Sequence, residues 1–419
     1  MATYAKFLKL MSCLALLSHI SANAEQALTI ERAVQVALDR DTLINVYKFR
    51  RDAFKEQSIA ENALPDPQLK IGLMNLPTDT FELNQEPMTQ LQLGIQQMFP
   101  RGNTLEIKSQ RAISMSMVEE AKLENYRRKV TREVRETWLE LYYWLNAERV
   151  VKDSRNFFEK LVSVTQQQYA AGRQKQQDVI RSELELGMLD DREINIRTQL
   201  EMTRTKLEKY VGNSVSKINL DNALPDFMLV QINKFSSEEH PLITMQQAMV
   251  DVGEKNVELA KQSYKPSWML DLTYGKREDA ANGSTRADFV SAMVKFDLPI
   301  FTGNFQDKKL SASKYRLNSA LNTKEDVSRD LKRKWDSALL KEVRFSQRAG
   351  KYKTLLIPKA KENTKAALFS YQSGRGAFTA LMRAQIIELE TKLKALRLEV
   401  EHKKTQAQLL YFTGENNEV

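Results

Sequence analysis

The residues that most often perform chemistry are sparse in this sequence of 419 residues. Its three histidines, His19, His240 and His402, stand alone without the spacing of a metal site, and Cys13 is the only cysteine. The sequence contains no Gly-rich phosphate loop, His-x-x-x-His pair or Gly-x-Ser-x-Gly motif. We therefore predict a protein that is not an enzyme, with no catalytic residues and no metal or other cofactor. The fifteen methionines are interpreted as core filler.

The first 24 residues have the composition of a secretory signal peptide. Lys6 and Lys9 precede an apolar stretch at 10–20, and the segment ends in Ala22-Asn23-Ala24, a small-x-small cleavage site. Cleavage after Ala24 would export a mature chain with neither a thiol nor a disulfide. A lipoprotein signal ending at Cys13 is the alternative, but almost no apolar core precedes that cysteine.

Charge and hydropathy narrow the class of partner. The net charge is +9, hydrophobic residues make up 42% and the mean hydropathy is −0.48. Basic residues alternate with glutamates along predicted helices, as in 127–136, which favours a solvated helix face over a nucleic-acid surface. No window approaches the roughly 18 uninterrupted apolar residues of a membrane-spanning helix. If the chain crosses a membrane, we expect it to do so in a closed β-barrel.

An internal repeat is the strongest organisational signal. The motif Tyr169-Ala-Ala-Gly172-Arg173 recurs as Tyr371-Gln-Ser-Gly374-Arg375, at an offset of 202 residues. The same offset relates four further pairs, which are Arg181 and Arg383, Leu207 and Leu409, Tyr210 and Phe412, and Gly212 and Gly414. One offset held across some forty positions indicates that a whole structural unit was duplicated.

Each half contains one very long helical stretch. No Gly or Pro occurs between Gly102 and Gly172, so about 69 residues can form a helix of about 100 Å. Its apolar residues recur at coiled-coil-like spacing, at Leu123, Val130, Val134, Leu141, Leu145, Val151, Phe158 and Leu161. The counterpart, 304–373, is weakened by Gly350, and a kink is expected at Pro358.

Shorter helices complete each half. We predict them at 30–63, 176–211, 241–264 and 377–412, with Thr29 as an N-cap. Helices this long must pack laterally, in a bundle, a coiled coil or an α-barrel, and helix periodicity alone leaves these three open.

Period-two alternation marks two strands between the helices of each half. They lie at 68–73 and 90–96 in the first half and at 268–274 and 290–298 in the second. Leu, Ile, Val and aromatic residues fall on one face. A soluble sheet would alternate in the same way. The flanking helices leave little local core, however, and four strands cannot close a usable barrel, so several copies of the chain are expected to contribute.

Further motifs lie at the ends of the two predicted hairpins. They are Pro65-Asp66-Pro67 and the turns Phe99-Pro100-Arg101-Gly102 and Leu298-Pro299-Ile300-Phe301-Thr302-Gly303. In these motifs, in the two Tyr-x-x-Gly-Arg motifs and in the twice-repeated order of helix, hairpin, long helix and short helix, the sequence resembles the TolC-like outer-membrane efflux proteins. The likeness covers essentially the whole mature chain. The resemblance implies a mainly α fold with a membrane β-barrel portion. It also implies a homotrimer with twelve strands in outer-membrane lipid and a helical portion in the periplasm, partnered by a periplasmic adaptor and an inner-membrane pump.

The resemblance also assigns roles to residues. It places Tyr169, Gly172 and Arg173, with Tyr371, Gly374 and Arg375, at periplasmic tips that dock on the adaptor and close the channel. Relatives often carry acidic residues just after the second tip, whereas this sequence has Ala380 and Arg383 there. A lumen constriction would instead involve Asp178, Arg181 and Arg383, and arginines there would favour anionic cargo.

The predicted organisation follows from the repeat. The signal peptide is 1–24, the first repeat 25–212, an equatorial linker 213–239, the second repeat 240–414 and a tail 415–419. The Pro-Asp-Pro region resembles the heavy-metal branch of the family, although the cargo stays open. The alternative function is a soluble periplasmic coiled-coil adaptor or binding protein whose hairpins form a soluble β domain.

Overall fold

The computed structural model describes residues 28–212, 224, 225, 227 and 235–414. The predicted signal peptide with Cys13 and His19, most of the predicted linker and the tail 415–419 lie outside the described residues. Each half of the described chain contains helices, a β-hairpin, a long helix and a shorter helix. The elements in order are α1 (Ile30–Arg40), α2 (Thr42–Asn62), β1 (Gln68–Met74), β2 (Gln90–Phe99), α3 (Thr104–Ala170), α4 (Gln176–Val211), α5 (Pro241–Gln262), β3 (Ser267–Lys276), β4 (Phe289–Asp297), α6 (Gln306–Lys351), α7 (Ile357–Gln372) and α8 (Phe378–Thr413).

These elements fall into two compact units, and each unit draws residues from both halves of the chain. The described residues of the helical unit lie within Met1–Asp41, Lys129–Val230 and Ala338–Tyr411. Those of the sheet unit lie within Thr42–Arg128, Gln231–Ser337 and Phe412–Val419. Along the part of the chain that the structure describes, no helix is both long and apolar enough to cross a membrane.

The sheet unit contains all four strands in one antiparallel sheet of order β1-β2-β3-β4. The two hairpins lie where the alternation predicts them, and β2 and β3 join the two halves edge to edge. β1 has seven residues, one more than the predicted 68–73, while the other three strands have nine or ten. Within the described residues β1 and β4 are each paired on one side only.

The long helix α3 forms as predicted, over 67 residues. Seven of the eight residues of its predicted apolar stripe are buried, and Leu145 is half-buried. Because α3 contains neither Gly nor Pro, nothing in its backbone interrupts the i to i−4 hydrogen bonds. The 3.6-residue period of its apolar side chains therefore determines which face packs inward.

The second long helix is interrupted close to where Pro358 predicts a kink. α6 ends at Lys351, one π-helical stretch spans Tyr352–Leu356, and α7 begins at Ile357. Proline lacks the N–H that would continue the helical ladder and its ring displaces the preceding turn. The wider π-helical stretch accommodates that displacement without ending the helix.

The predicted helix 30–63 is two helices, because Asp41 interrupts it. Asp41 adopts an extended conformation (φ −70°, ψ 115°) as the C-cap of α1, and α2 begins at the next residue. A short polar side chain favours such a boundary because it competes for backbone hydrogen bonds. Thr29 caps α1 as predicted, since its side chain accepts a hydrogen bond from the N–H of Arg32 at 3.2 Å.

A half-buried ion cluster joins α3 and α8 within the helical unit. Arg397 donates two hydrogen bonds to the Glu140 carboxylate, at 3.0 and 2.9 Å, and Lys404 contacts the same carboxylate. The Arg397 guanidinium also lies 3.4 Å above the ring of Tyr143. Burial raises the pKa of Glu140, but hydrogen bonds from Arg397 and Lys404 outweigh it and hold that pKa below its ordinary value.

Candidate functional site

Two matching turns end α3 and α7 in the helical unit. In the first, Gly172 donates to the carbonyl of Tyr169 at 2.9 Å and Arg173 to that of Gln168 at 2.9 Å. In the second, Gly374 donates to Tyr371 and Arg375 to Ser370, both at 3.0 Å. This is the Schellman pattern, in which a residue with positive φ reverses the chain after a helix.

Glycine is required at the reversal in both turns. Gly172 and Gly374 each have φ of +70°, a region in which a Cβ is strained. The repeated Tyr-x-x-Gly-Arg motif is therefore a local folding signal as well as a marker of duplication.

Tyr371 connects the two turns. Its hydroxyl donates to Oε1 of Gln168 at 3.1 Å and accepts from Nε2 of Gln174 at 3.2 Å, so one side chain contacts residues on both sides of the first turn. The ring also packs edge-on to Phe378, with centroids 5.9 Å apart. Tyr371, in the second Tyr-x-x-Gly-Arg motif, thus forms hydrogen bonds with the residues on either side of the first motif. We call the two turns the tips of the helical hairpins.

Tyr169, at the equivalent position in the first repeat, behaves differently. Its ring is 46% exposed, and no described residue forms a hydrogen bond with its hydroxyl. The repeat therefore preserves the turn but not the link, because only the second tyrosine reaches across to the other turn.

A few turns from the tips, buried hydroxyl groups form hydrogen bonds between α3 and α4 and between α7 and α8. Thr165 of α3 and Ser182 of α4 share a hydrogen bond of 3.0 Å. Thr364 of α7 donates to the carbonyl of Ala384 on α8 at 3.2 Å. Ser182 and Ala384 are related by the 202-residue offset, so the hydrogen bond within each helical hairpin involves the same position of its second helix.

Exposed basic residues surround the tips. Arg173, Arg181, Arg375 and Arg383 are all exposed, whereas Asp178 is half-buried in the first turn of α4. A carboxylate in that turn is favourably placed near the helix N-terminus. The predicted constriction residues therefore lie just behind the tips on α4 and α8, and the charge they present is mainly positive.

The sheet has one continuous apolar face. Antiparallel register aligns Ile71, Leu93, Tyr274 and Val290 in one row across the four strands. The other apolar positions fall on the same face by the same pairing. Twelve large apolar side chains of this face are exposed, namely Leu69, Ile71, Leu73, Leu91, Leu93, Ile95, Trp268, Leu272, Tyr274, Val290, Val294 and Phe296.

The opposite face is largely polar and contains an ion pair that strand alternation alone does not predict. Lys70 on β1 reaches Asp271 on β3 at 2.6 Å, and Thr273 donates to the same carboxylate at 2.7 Å. Lys70 crosses β2 beside its register partner Gly94, where a Cβ would lie 2.5 Å from the Thr273 hydroxyl. The sequence signal for this pair is one charged residue on the polar face of the predicted strand at 68–73 and one on that of the strand at 268–274.

The two described histidines have structural partners. His240 is buried and caps α5, with Nδ1 accepting from the N–H of Leu242 at 3.2 Å. His402 lies 3.0 Å from a carboxylate oxygen of Glu342. In the described part of the chain, no three His, Cys, Asp or Glu side chains are grouped as a metal site would require.

Solved structures share this architecture over nearly the whole chain. The outer membrane protein VceC of Vibrio cholerae superposes with a TM-score of 0.77 at 14% identity, covering 93% of this chain and 97% of that one. A membrane protein from Pseudomonas aeruginosa gives 0.79 at 16% identity, covering 94% of each chain. CusC, whose structures concern transmembrane channel formation, gives 0.76 at 13%, covering 95% and 96%. Protein-family models and curated protein sequences give no match.

The predicted fold is confirmed by these similarities. Four antiparallel strands and long helices in two halves are the architecture of outer-membrane channel proteins. At 12–16% identity the likeness concerns the fold alone, and a shared fold does not by itself fix a function.

Proposed function

We propose that this chain is the outer-membrane component of a tripartite efflux or secretion system and acts as a passive trimeric conduit. The apolar face of its sheet is the observation that carries the proposal. In that role the sheet faces lipid, the polar face lines water and the helical unit lies in the periplasm. The chain would then contribute a pore wall and no reaction chemistry.

The cost of leaving that face in water is large. Moving a half-exposed apolar side chain out of water contributes roughly 1 kcal/mol, so the twelve residues together favour an apolar environment by about 10 kcal/mol. Single exposed apolar residues are ordinary on protein surfaces, but a contiguous patch of this size marks an interaction surface. Strands of nine or ten residues also have the length that a tilted membrane-spanning strand needs.

The sheet edges support assembly from several copies. β1 and β4 each leave one row of backbone N–H and C=O groups without a strand partner among the described residues. Lipid offers these groups no hydrogen bonds, so a membrane-inserted sheet must close on itself. Pairing β4 of one copy with β1 of the next satisfies both edges, and three copies give a twelve-stranded barrel.

The repeat provides a second argument for neighbouring copies. Met382 on α8 is 1% exposed, whereas its repeat equivalent on α4, Ile180, is 58% exposed. Leu184 and Met188 extend this exposed apolar stripe along α4 by one turn each. The packing that buries Met382 within the chain is therefore missing around Ile180, and an adjacent copy would supply it.

The tips are proposed as the point of contact with a periplasmic adaptor and an inner-membrane pump. Their support is the clustering of Arg173, Arg375 and the Tyr371 link at the helix reversals. Exposed arginines there fit an acidic partner surface, and Arg181 and Arg383 just behind them would favour anionic cargo at the narrowest point.

Fractionation and conductance test the proposal together. We expect the mature chain in outer-membrane extracts as a heat-resistant trimer that gives discrete conductance steps in planar bilayers. Crosslinking before purification should recover an inner-membrane pump and its adaptor with the wild-type chain. Replacing Arg181 and Arg383 should leave the trimer intact and change only the current.

The alternative gives the opposite results. A soluble adaptor would appear as a monomer in the periplasmic fraction and would be released by buffer alone. Absence of conductance in a stable trimer, even after Arg181→Ser and Arg383→Ser, would exclude the gated pore.

A further inference from the structure

The turn that follows β4 contains an insertion that its repeat counterpart lacks. In the first half, Pro100-Arg101-Gly102-Asn103 joins β2 to α3. In the second half, residues 298–305 join β4 to α6, and the corresponding run from proline to asparagine, Pro299-Ile300-Phe301-Thr302-Gly303-Asn304, is two residues longer. The additional length includes two of the most exposed apolar side chains of the described structure, since Ile300 is 71% and Phe301 91% exposed.

The shorter turn is held against the sheet unit. Arg101 donates to the carbonyl of Ser263 at 2.7 Å and forms an ion pair with Asp297. The backbone of the longer turn is also hydrogen-bonded, since the N–H of Ile300 donates to the carbonyl of Leu298 at 3.0 Å. The N–H groups of Phe305 and Asp307 donate to the carbonyl of Thr302 at 3.2 and 3.1 Å. The apolar side chains of Ile300 and Phe301 are thus presented outward by a defined turn.

Basic side chains follow directly on the first turns of α6. Lys308 and Lys309 are exposed, and the Nζ of Lys309 lies 3.9 Å from the ring centroid of Phe305. The acidic residue next to them in sequence, Asp307, accepts a hydrogen bond from the Tyr264 hydroxyl at 2.5 Å. Neither Lys308 nor Lys309 forms an ion pair with a carboxylate among the described residues.

The charge at the two ends of the sheet is opposite in sign. The segments that join strands to helices (62–67, 99–108, 258–267 and 297–316) contain eight basic and five acidic residues. The loops at the other end (75–89 and 277–288) contain two basic and six acidic residues. The apolar sheet face thus ends, on its helix side, in exposed aromatic and then basic side chains.

We propose that Ile300, Phe301, Lys308 and Lys309 form a binding site for an anionic phospholipid at the periplasmic boundary of the membrane. This inference rests on the proposed function, which places the sheet in lipid. Ile300 and Phe301 enter the acyl region beside Phe296 and Leu298, and the two ammonium groups bind the headgroup phosphate. Aromatic and basic residues in this order are typical of a membrane interface.

Depth-dependent quenching tests the apolar half of the site. In Phe301→Trp, bromine on the acyl chains of phosphatidylglycerol in nanodiscs should quench a new component of indole fluorescence. The matched control is Phe369→Trp, at a 74% exposed position on α7 of the helical unit, which should show no added quenching. Planar-bilayer conductance of the same purified proteins shows that each variant inserts as a channel.

Retained lipid tests the basic half. Lys308→Gln with Lys309→Gln should lower the preference for phosphatidylglycerol over phosphatidylethanolamine, measured by mass spectrometry of the purified trimer, about fivefold for each lysine. Lys351→Gln with Lys353→Gln, an equal loss of charge farther along the chain, should leave the preference unchanged.

Two results overturn the site while leaving the proposed function intact. One is a conducting Phe301→Trp channel without acyl-chain quenching, which means that residue 301 does not reach the acyl region. The other is unchanged phosphatidylglycerol retention in the conducting Lys308/Lys309 variant. Failure of every variant and of the wild type to insert or conduct refutes the proposed function instead.

Discussion

We predict that the hydrogen bonds of Tyr371 help to hold the tips in the closed state of the channel. Tyr371→Phe tests this most directly, because it removes one hydroxyl and leaves the ring against Phe378. That hydroxyl makes two hydrogen bonds, to Gln168 at 3.1 Å and from Gln174 at 3.2 Å. Neutral hydrogen bonds contribute about 0.5–1.5 kcal/mol each, and the site is half-buried, so we expect a loss of about 1–2 kcal/mol. If the link holds the closed state, the ratio of closed to open channels should fall roughly 5- to 30-fold per subunit.

Single-channel recording in planar bilayers measures this ratio directly. Tyr169→Phe is the matched control, because it removes the hydroxyl of the repeat-equivalent residue. That hydroxyl makes no hydrogen bond in the described structure, so the open fraction of the Tyr169→Phe channel should equal that of the wild type. An open fraction that is unchanged in Tyr371→Phe, or equally raised in both variants, refutes the assignment of the link to gating.

Three further predictions concern the helical unit. Glu140→Gln should destabilise the protein by about 2 kcal/mol in thermal unfolding at pH 7, because it breaks the hydrogen bonds from Arg397. The folded pKa of Glu140 is depressed, so this contribution is present above the ordinary pKa of the carboxyl and is lost as pH falls through the folded value. The melting temperatures of the wild type and the variant should therefore converge at pH values below the folded pKa. Gly172→Ala should lower the free energy of unfolding by about 1 kcal/mol, because residue 172 has a positive φ. Gly187→Ala should instead raise the free energy of unfolding by up to about 1 kcal/mol, because residue 187 lies inside α4 with open space around it. Chemical denaturation measures both changes. Arg383→Ser should reduce the anion preference in reversal-potential measurements, and an unchanged reversal potential would place Arg383 away from the narrowest point.

Much of the fold could be predicted because its signals are local. Alternation at 68–73 and 268–274, the absence of Gly and Pro along α3, and the Gly-Arg turns each depend on a few neighbouring residues. The break at Asp41 was missed because a single polar residue inside a periodic helical pattern is ambiguous. Whether such a residue ends a helix depends on tertiary packing, which overrides weak propensities.

The links within the site could not be predicted for a different reason. Gln168 and Gln174 flank a recognisable turn, but their partner Tyr371 lies about 200 residues away. Lys70 and Asp271 are similarly distant, and their contact depends on β2 lying between their strands with Gly94 opposite Lys70. Alternation assigns each side chain to a face, whereas only the register between strands assigns its neighbour.

The two halves of the chain share the residues that the backbone geometry requires and differ at residues whose surroundings differ. The turns at Gly172 and Gly374 have the same φ and the same hydrogen bonds, because a helix reversal has the same geometry wherever it occurs. The repeats diverge at Ile180, which is exposed where its equivalent Met382 is buried, and at the inserted Ile300-Phe301. Duplicated segments adopt the same backbone geometry but have different neighbours. The divergent apolar positions therefore mark the surfaces at which the chain would contact other molecules. Another copy and the membrane are the two environments that fit them.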